Sequence, residues 1–438
     1  MNHIGIRRED KNPFERRAPL TPDDVTTLVR QHGLPITIQP ARAHRVFSDN
    51  EYRAAGADVN EDLSRCQVVM GVKEIPLDQL LAGKTYLFFS HTIKGQPYNM
   101  PLLRRLMDLG CTLVDYEVIV DDGGQRLVFF GRHAGLAGMI DALWALGQRL
   151  AQVEDIETPL ARLRQAHAYV SLEQAKHAIA DVGRELHERG TQALTPLVVG
   201  FAGYGNVSAG AQEIFDLLQP TTVEPDDLLR IDVRNHGCCY KVVFREEHLV
   251  QPLGPQLFEL QHYYDHPEAY RGAFATRYLD QLTVLVNCIY WESRYPRLVT
   301  LTDLDQLYDG PPPRLRVIAD ISCDINGSIE ATVKSTDPDR PVYVYDLEHD
   351  QVLDGIVGRG PVILAVENLP AELPREASKC FSRSLLPLIP GVAAADLDVA
   401  LELSHLPPAI QRAVIVHRGQ LTPGYAYLND HLASDETP

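Results

Sequence analysis

The sequence predicts an α/β protein of two domains, on three observations. Segments of strand character and of helix character alternate over residues 1–130, which is typical of a parallel sheet. A second block with the same alternation begins at Pro196. The chain has 438 residues, more than one ordinary hydrophobic core accommodates, and its 45% hydrophobic and 23% charged residues are typical of a folded protein.

The first block begins with a predicted strand at residues 4–7 and a helix predicted to begin at Thr21. Thr21 can cap this helix, Pro22 suits its first turn, and the acidic pair that follows complements the helix dipole. Further apolar segments predict strands at residues 67–72, 85–90 and 112–114, and helical spacing predicts a helix at residues 100–109.

A long helix is predicted after Gly131, and another at residues 171–189. The long helix carries an apolar face and a stripe of small residues, which permits close packing where one domain is followed by the next. The small residues are Gly135, Gly138 and Ala142.

The second block predicts strands separated by turns and helices. The strands lie near residues 196–201, 282–287, 315–319, 342–345 and 362–366, and the helices lie at residues 211–218 and from Pro374 onward. Periodicity alone does not assign the segment after Pro374 to either block.

A glycine-rich turn follows the first strand of the second block. Gly203 and Gly205 occupy the first two positions of a dinucleotide-binding pattern, and Ser208 stands at the third, with Gly210 two residues later. The first glycine permits a tight turn, and the second lets a pyrophosphate approach the backbone at a helix N-terminus. Glu224, about 20 residues further at the end of the next strand, is the expected ribose-binding acid. The pattern predicts a dinucleotide site, and a glycine-rich turn without a ligand is the alternative.

Titratable residues follow two predicted strands of the first block. Lys73 and His91 each come directly after an apolar run. Ligands of open parallel sheets bind outside the carboxyl ends of the strands, so we expect both side chains in one crevice as an acid–base pair. The alternative is that both are solvent-facing loop residues. Arg17 or its neighbour Arg16 lies at the same edge, where a guanidinium can bind a substrate carboxylate.

Composition excludes several classes of partner and site. Lys and Arg number 41 against 59 Asp and Glu, and the resulting net charge of −18 disfavours nucleic acid. No secretory signal or membrane span is expected from the hydropathy pattern, and the seven cysteines contain no C-x-x-C pair, so we expect free thiols in the cytoplasm. No metal site is expected, because the helically spaced His262 and His266 lack a nearby third ligand.

Six segments resemble the lysine-ketoglutarate reductase domain of the bifunctional enzymes that start lysine breakdown. They are similar, more distantly, to single-chain saccharopine dehydrogenases, alanine dehydrogenase and the soluble part of transhydrogenase. The likeness runs in order from near residue 4 to about residue 428. The segments are GIRREDKNPFERRAPLTP, FFSHTIKGQPYNMPLL, GRHAGLAGMIDAL, GYGNVSAGAQEIF, ISCDINGSIE and ENLPAELPREAS.

This resemblance implies two Rossmann-like domains with a cleft between them, the first of them discontinuous. Residues 1–133 and 371–438 would form a substrate-binding and catalytic domain, and residues 134–370 a dinucleotide-binding domain with linking helices. The catalytic lysine and histidine of the family fall on Lys73 and His91, and its carboxylate-binding arginine falls on Arg17. The implied cofactor-binding residues are Gly203, Gly205, Asn206, Val207, Ser208, Glu224, Asp324, Asn368 and Leu369.

The reaction implied by the resemblance is the reversible, nicotinamide-dependent condensation of L-lysine with 2-oxoglutarate to saccharopine. NADPH is the favoured cofactor, with Arg230, Arg234 or Arg245 as partners of its 2′-phosphate, although an acid such as Glu224 ordinarily favours NAD. Two alternatives stay open: a related dehydrogenase for another amino and oxo acid pair, and a cofactor-binding paralogue without turnover. The sequence also leaves open the oligomeric state, including a homo-oligomer, and the physiological direction of the reaction.

Overall fold

The computed structural model describes residues 1–41, 44–189, 196–228, 230 and 239–434. The chain divides into two compact units, and the first is discontinuous, as predicted. The first unit comprises Met1–Phe130 and Pro374–Pro438, and the second comprises Gly131–Leu373.

The N-terminal part of the first unit alternates short strands with helices. Thr21 caps the first helix, α1 (Pro22–His32), by accepting a hydrogen bond from the backbone N–H of Asp24 at 3.3 Å, and Gly33 ends this helix with a φ of 63°. The strands are β1 (Ile4–Ile6), β2 (Ile36–Ile38), β3 (Asp58–Val59), β4 (Val68–Met70), β5 (Thr85–Phe88) and β6 (Thr112–Asp115). The helices are α1 (Pro22–His32), α2 (Asp49–Ala54) and α3 (Met100–Asp108).

The second unit begins with two long helices and continues with a sheet. Its helices are α4 (Gly131–Val153), α5 (Leu172–Arg189), α6 (Asn206–Phe215), α7 (Pro225–Leu228), α8 (Glu246–Leu249), α9 (Leu260–Asp265), α10 (Phe274–Tyr278) and α11 (Leu301–Tyr308). Its strands are β7 (Leu197–Ala202), β8 (Thr221–Val223), β9 (Cys239–Phe244), β10 (Val250–Pro252), β11 (Tyr270–Gly272), β12 (Val284–Asn287), β13 (Val317–Asp320), β14 (Val342–Asp346), β15 (Gln351–Asp354) and β16 (Val362–Leu364).

The C-terminal segment returns to the first unit. Its elements are α12 (Pro374–Leu385), α13 (Ile389–Ala394), α14 (Pro408–Arg412), β17 (Val414–His417), β18 (Gln420–Leu421) and α15 (Leu428–Ser434). Strand β17 pairs with β6 and with β18, in both cases antiparallel. The sheet of the first unit therefore has the order β18-β17-β6-β5-β4-β1-β2-β3, in which strands β1 to β6 are mutually parallel.

The sheet of the second unit has the order β15-β14-β16-β13-β12-β7-β9-β8. Alternate residues of β7 enter opposite layers of the core: Leu197, Val199 and Phe201 pack in one apolar cluster, and Val198 and Ala202 in another. A strand that is apolar on both faces is typical of a parallel sheet covered on both sides.

The small-residue stripe of α4 packs against α6, inside the second unit. A Cβ on Gly135 would lie 1.9 Å from the carbonyl oxygen of Val207, and a Cβ on Gly210 would lie 2.1 Å from that of Arg132. The backbones of α4 and α6 thus approach too closely for any side chain at either position. Ser208 is buried, but Gly210 is the residue that permits this helix contact.

Two whole-chain features bear on the sequence-based expectations. None of the helices described is both long and apolar enough to cross a membrane. The six cysteines in the described ranges are free thiols, and Cys238 lies outside them.

Candidate active site and cofactor pocket

The first unit gathers the predicted catalytic side chains at one edge of its sheet. Strands β2 and β4 flank β1 on opposite sides, so the strand order reverses at β1. Ligands of such sheets bind outside the carboxyl ends of the strands at this reversal. Lys73 follows the last residue of β4 by three positions, His91 follows that of β5 by three, and Arg17 lies in the segment after β1.

Glu74 links the two predicted proton-transfer residues. It adjoins Lys73 in sequence, and its Oε1 lies 2.6 Å from Nδ1 of His91. Burial pushes the pKa of Glu74 upward, but the hydrogen bonds and positive charges of His91 and Lys11 outweigh burial and lower this pKa to about 2. An ionised carboxylate can only accept, so Nδ1 of His91 carries the proton of this bond. The other ring nitrogen, Nε2, is then the one that can exchange a proton with a substrate.

Lys73 is half-buried, and its surroundings disfavour the ammonium form. Burial lowers its pKa first, and the positive charge of Arg17 lowers it further, against the opposing effect of Glu74. In the part of the chain that the structure describes, the Lys73 ammonium has no hydrogen-bond or ion-pair partner. A lysine whose pKa is lowered in this way exchanges protons more readily near neutral pH.

The two candidate arginines have different environments. Arg17 is buried and donates from Nε and Nη2 to the two carboxylate oxygens of Glu15, at 2.8 and 2.6 Å. Its guanidinium also lies over the ring of Phe130, 4.2 Å from the centroid. Arg16 is exposed and donates to the carbonyl oxygen of His44. The sequence alone does not favour either arginine. The structure restricts the orientation of Arg17 far more than that of Arg16.

The backbone at His91 adopts a conformation that a side chain rarely takes. Its φ is 53°, in the left-handed region. The carbonyl oxygen of His91 accepts a hydrogen bond from Nδ2 of Asn99 at 2.9 Å, and the preceding N–H, of Ser90, donates to Asp115 at 3.0 Å. Both bonds come from buried side chains, so the strained turn is held from both ends.

In the second unit, the glycine turn follows β7 and opens α6. Gly203 has a φ of 95°, and its N–H donates to the carbonyl oxygen of Phe244 at 3.0 Å. Gly205 is the N-cap residue of α6, with open space where a Cβ would stand. Residues 206–208 form the first helical turn, whose N–H groups can receive an anion. This backbone suits close approach by a pyrophosphate.

A pocket of about 520 Å³ lies at the carboxyl end of β7. It is lined by Gly203 and Gly205 from the turn, by Arg245 and Glu246 after β9, and by residues 288–291 after β12. Strands β9 and β12 flank β7, so the pocket sits where the strand order of this sheet reverses. Its volume is typical of cofactor and small-molecule sites.

The pocket wall combines aromatic rings with two arginines, Arg245 and Arg297, and one carboxylate, that of Glu246. The guanidinium of Arg245 lies over the ring of Tyr204, 4.9 Å from the centroid. The hydroxyl of Tyr264 donates to Glu246 at 2.8 Å. Tyr263 and Trp291 add apolar ring surface. These groups suit a flat heterocycle that carries a sugar and an anionic substituent.

Glu224 lies away from this pocket. It follows β8, which is the edge strand, and β9 intervenes between β8 and β7. Glu224 is exposed and does not line the pocket. The residues that follow the strand beside β7 are instead Arg245 and Glu246. Of the other arginines considered for a 2′-phosphate, Arg230 is exposed and pairs with Asp227, and Arg234 lies outside the described residues.

The remaining predicted cofactor residues follow β13 and β16. Asp324 is exposed, Asn368 is half-buried, and Leu369 is buried in the apolar core of the second unit. Because β7, β12, β13 and β16 are parallel, these loops leave the sheet at the same edge as the glycine turn. None of the three side chains lines the pocket beside Gly203.

Sequence reasoning missed Glu74, Glu246 and the aromatic wall. A signal for Glu246 existed, because residues 239–244, CYKVVF, are rich in β-branched and aromatic residues and predict a strand that ends just before it. No local signal marked Glu74, whose role follows from a contact across two strand ends. Among the residues that the structure describes, no group of three or more His, Cys, Asp and Glu side chains could hold a metal ion.

Comparison with known protein families and structures identifies the family of this chain. The family model "Alanine dehydrogenase/PNT, N-terminal domain" matches residues 5–137, and "Alanine dehydrogenase/PNT, C-terminal domain" matches residues 273–424. The chain belongs to the alanine dehydrogenase/PNT family. This family of oxidoreductases is consistent with the glycine turn and the strand-end lysine and histidine described above.

Three individual matches bear out the predicted resemblance. The chain is 38% identical to alpha-aminoadipic semialdehyde synthase of Arabidopsis thaliana over 444 residues, which cover 97% of this chain and 41% of that protein. It therefore spans less than half the length of that relative. It is 25% identical to "Saccharopine dehydrogenase [NAD(+), L-lysine-forming]" of Emericella nidulans, with 88% of this chain and 91% of that protein covered. Its fold matches that of a solved L-alanine dehydrogenase with a TM-score of 0.63 at 19% identity, over 98% of this chain and 99% of the other.

Proposed function

We propose that the chain catalyses the reversible reductive condensation of L-lysine with 2-oxoglutarate, which yields saccharopine. The observation that carries this proposal is the arrangement of Lys73, Glu74 and His91: an amine with a lowered pKa beside an imidazole oriented by an ionised carboxylate. The printed name of the Emericella nidulans relative, a lysine-forming saccharopine dehydrogenase, supports the same reaction.

In this reaction the ε-amine of lysine attacks the keto carbon of 2-oxoglutarate as the free base. A proton leaves the attacking nitrogen, and the former keto oxygen gains one to become the carbinolamine hydroxyl. This hydroxyl gains a second proton and departs as water, so that a protonated imine remains. Lys73 and His91 exchange these protons, His91 through Nε2 because Glu74 engages Nδ1. A reduced nicotinamide, when bound, would supply the hydride that converts the protonated imine to the secondary amine of saccharopine.

We assign substrate anchoring to Arg17, with Arg16 as the second candidate. Glu15 fixes the plane of the Arg17 guanidinium through Nε and Nη2, and Phe130 supports one face of it. A planar guanidinium held in one orientation is suited to a carboxylate, and both substrates carry carboxylates. Arg17 also contributes to the lowered pKa of Lys73, so it couples anchoring to proton transfer.

We assign the two functions to the two predicted domains. Residues 1–133 and 371–438 supply the proton-transfer and substrate-binding groups, and residues 134–370 bind the dinucleotide. Gly203 to Ser208 would hold the pyrophosphate, and the pocket beside Gly203 would hold the adenosine end. Asp324, Asn368 and Leu369 belong to the loops assigned to the nicotinamide side.

NADPH is the cofactor that this pocket supports best. Arg245 directly follows the strand beside β7 and supplies a positive charge over an aromatic ring, which suits a 2′-phosphate. Glu246 would bind the free 2′-hydroxyl of the ribose in NADH, so this residue would allow NADH to compete with NADPH for the pocket. Michaelis constants for the two cofactors, measured side by side, distinguish these cases.

The proposed function is tested by following nicotinamide absorbance with purified protein. We expect NADPH oxidation only when L-lysine and 2-oxoglutarate are both present, with saccharopine detected by mass spectrometry in equal amount to the NADPH consumed. Pairs such as ammonia with pyruvate serve as the control for a related dehydrogenase of different specificity. Turnover only with another pair would replace the proposed substrates, and no turnover with any pair would favour a paralogue that binds cofactor without catalysis.

A further inference from the structure

Glu9 is a buried carboxylate in the segment after β1, and both of its oxygens are bound to the turn that presents Lys73. Its Oε1 accepts the backbone N–H of Val72 at 2.7 Å, and its Oε2 accepts the backbone N–H of Lys73 at 3.0 Å. The two N–H groups lie just beyond the end of β4. Glu9 therefore fixes two consecutive peptide groups of this turn.

The neighbouring residues are arranged around this carboxylate. Gly71 precedes the turn, and a Cβ there would lie 3.3 Å from Oε1 of Glu9, tighter than most such contacts. Burial raises the pKa of Glu9 to about 7, against the opposing charge of Arg7 and the two backbone bonds. A buried carboxylate is costly unless its hydrogen bonds are satisfied, so the fold tolerates Glu9 because of the bonds that it makes.

We propose that Glu9 is a positioning residue for Lys73: its carboxylate holds the backbone of the Val72–Lys73 turn and thereby places the Lys73 amine for proton transfer. This inference rests on the proposed function. Glu9 acts through the backbone, because its two oxygens are bonded to the peptide N–H groups of the turn. Removing it should displace the amine and leave the chemical groups of the site intact.

The kinetic test compares Glu9→Gln with the wild type. A glutamine has one acceptor oxygen, so it loses one of the two bonds and turns an amide NH₂ toward a backbone N–H. We expect kcat to fall roughly tenfold or more, since small displacements of a catalytic group are costly, with the KM values for lysine and 2-oxoglutarate within about twofold of wild type. Thermal unfolding of Glu9→Gln, measured in parallel, verifies that the variant is folded.

The matched control is Glu51→Gln, which removes another carboxylate bonded to a backbone N–H, that of Ser48 at 2.6 Å in the cap of α2. We expect its kcat to equal that of the wild type. The second comparison places Glu9→Gln in a Lys73→Met background. If Glu9 acts only through Lys73, it should cause no further loss there. An equal fractional loss in both backgrounds, or wild-type kcat in Glu9→Gln, would overturn the inference.

A hydrogen-exchange experiment, which does not depend on enzyme activity, distinguishes this inference from the proposed function. Hydrogen exchange at the amides of Val72 and Lys73 should accelerate at least tenfold in Glu9→Gln, while the amides of the central strands keep their protection. Unchanged exchange at both amides would overturn the inference even if the enzyme turns over its proposed substrates. Conversely, the wild type could fail to turn over lysine and 2-oxoglutarate while exchange is accelerated in Glu9→Gln. That result would overturn the proposed function, but it would establish that Glu9 holds the backbone of the Val72–Lys73 turn.

Discussion

At the scale of single residues, the candidate site depends on carboxylates that hold other groups in place. Glu74 orients the imidazole of His91, and Glu15 fixes the guanidinium of Arg17. Asp115 binds the backbone N–H next to His91, and Glu9 binds that of Lys73. The proposed reacting groups lie in turns after strand ends, where the regular hydrogen bonds of the strands stop. Hydrogen bonds from buried side chains replace them and reduce the freedom of each turn.

The sequence predicted the two central residues of this site but not the residues that support them. Lys73 and His91 could be found because each follows an apolar run, and parallel strands end at one edge. Glu74 and Glu9 carry no such mark, because each acts on a residue from another strand end. Side-chain contacts of this kind depend on tertiary structure, which local periodicity does not encode.

Replacing Glu74 by Gln should lower kcat roughly tenfold or more at every pH between 5 and 9. Its pKa of about 2 keeps the carboxylate ionised over this whole range, so the loss should not depend on pH. The control is Lys11→Met, which removes the other partner of Glu74 at 2.8 Å but keeps the carboxylate. A kcat in Glu74→Gln equal to that of the wild type would show that His91 needs no orienting group.

At the scale of elements, the position of β9 decides which residues meet the cofactor pocket. The sequence pattern treated the strand before Glu224 as the neighbour of β7, because the usual spacing to the ribose-binding acid is about 20 residues. In the structure, β9 lies between them, and the neighbouring strand ends at Phe244. Strand order is set by long-range pairing, so a spacing rule along the chain could not reveal this displacement.

Replacing Arg245 by Ala should raise the KM for NADPH roughly tenfold to a hundredfold and leave that for NADH nearly unchanged. The reason is the loss of a charge-assisted hydrogen bond to the 2′-phosphate. Glu224→Gln is the matched control, since Glu224 is exposed directly after the edge strand, and we expect no change in either constant. Equal effects of Arg245→Ala on both cofactors would contradict the assignment of Arg245 to the 2′-phosphate.

The contact between α4 and α6 should be sensitive to a single methyl group. A Cβ on Gly135 would lie 1.9 Å from the carbonyl oxygen of Val207, so Gly135→Ala should destabilise the protein by about 1–3 kcal/mol in denaturant unfolding. Since α6 begins at the glycine turn, dinucleotide affinity should fall as well. Gly424→Ala is the control, because no atom lies within 4 Å of its added methyl group. Equal stability of the two variants would show that the helices can separate without cost.

At the scale of the whole molecule, the resemblance to a known family predicted more of the domain organisation than the periodicity of apolar residues did. Apolar patterns predicted both alternating blocks, and the two mixed, predominantly parallel sheets confirm the α/β class. The apolar patterns did not assign the segment after Pro374 to either block, because β17 pairs with β6 across some 300 residues of chain. That discontinuity of the first unit was implied only by the similarity of ordered segments to a known family.

Stability should depend on pH through a buried pair of carboxyls in the second unit. Asp141 accepts the N–H of Ala166, and Glu372 accepts that of His167. The remaining oxygens, Oδ2 of Asp141 and Oε1 of Glu372, are buried and have no hydrogen-bond partner among the described residues. Burial raises the pKa of Glu372 from its usual 4.5 to about 8 and raises that of Asp141 too. The folded state therefore retains protons that the unfolded state releases.

This retention destabilises the fold as pH rises from about 4.5 to about 8. The Tm of the wild type should fall over this interval more steeply than that of Glu372→Gln, because the amide needs no proton to remain bonded. Parallel Tm profiles for the two proteins would show that the pair does not retain a proton. The comparison cancels the contributions of other buried acids that the two proteins share.

The most direct test of the account is the turnover of Lys73→Met, His91→Gln and the double variant with lysine, 2-oxoglutarate and NADPH. We expect each single variant to lose roughly 10²-fold or more in kcat, because each removes a proton-transfer group. The double variant should lose little more than the weaker single variant, as for residues that act as one unit. Turnover close to that of the wild type in both single variants would contradict the account.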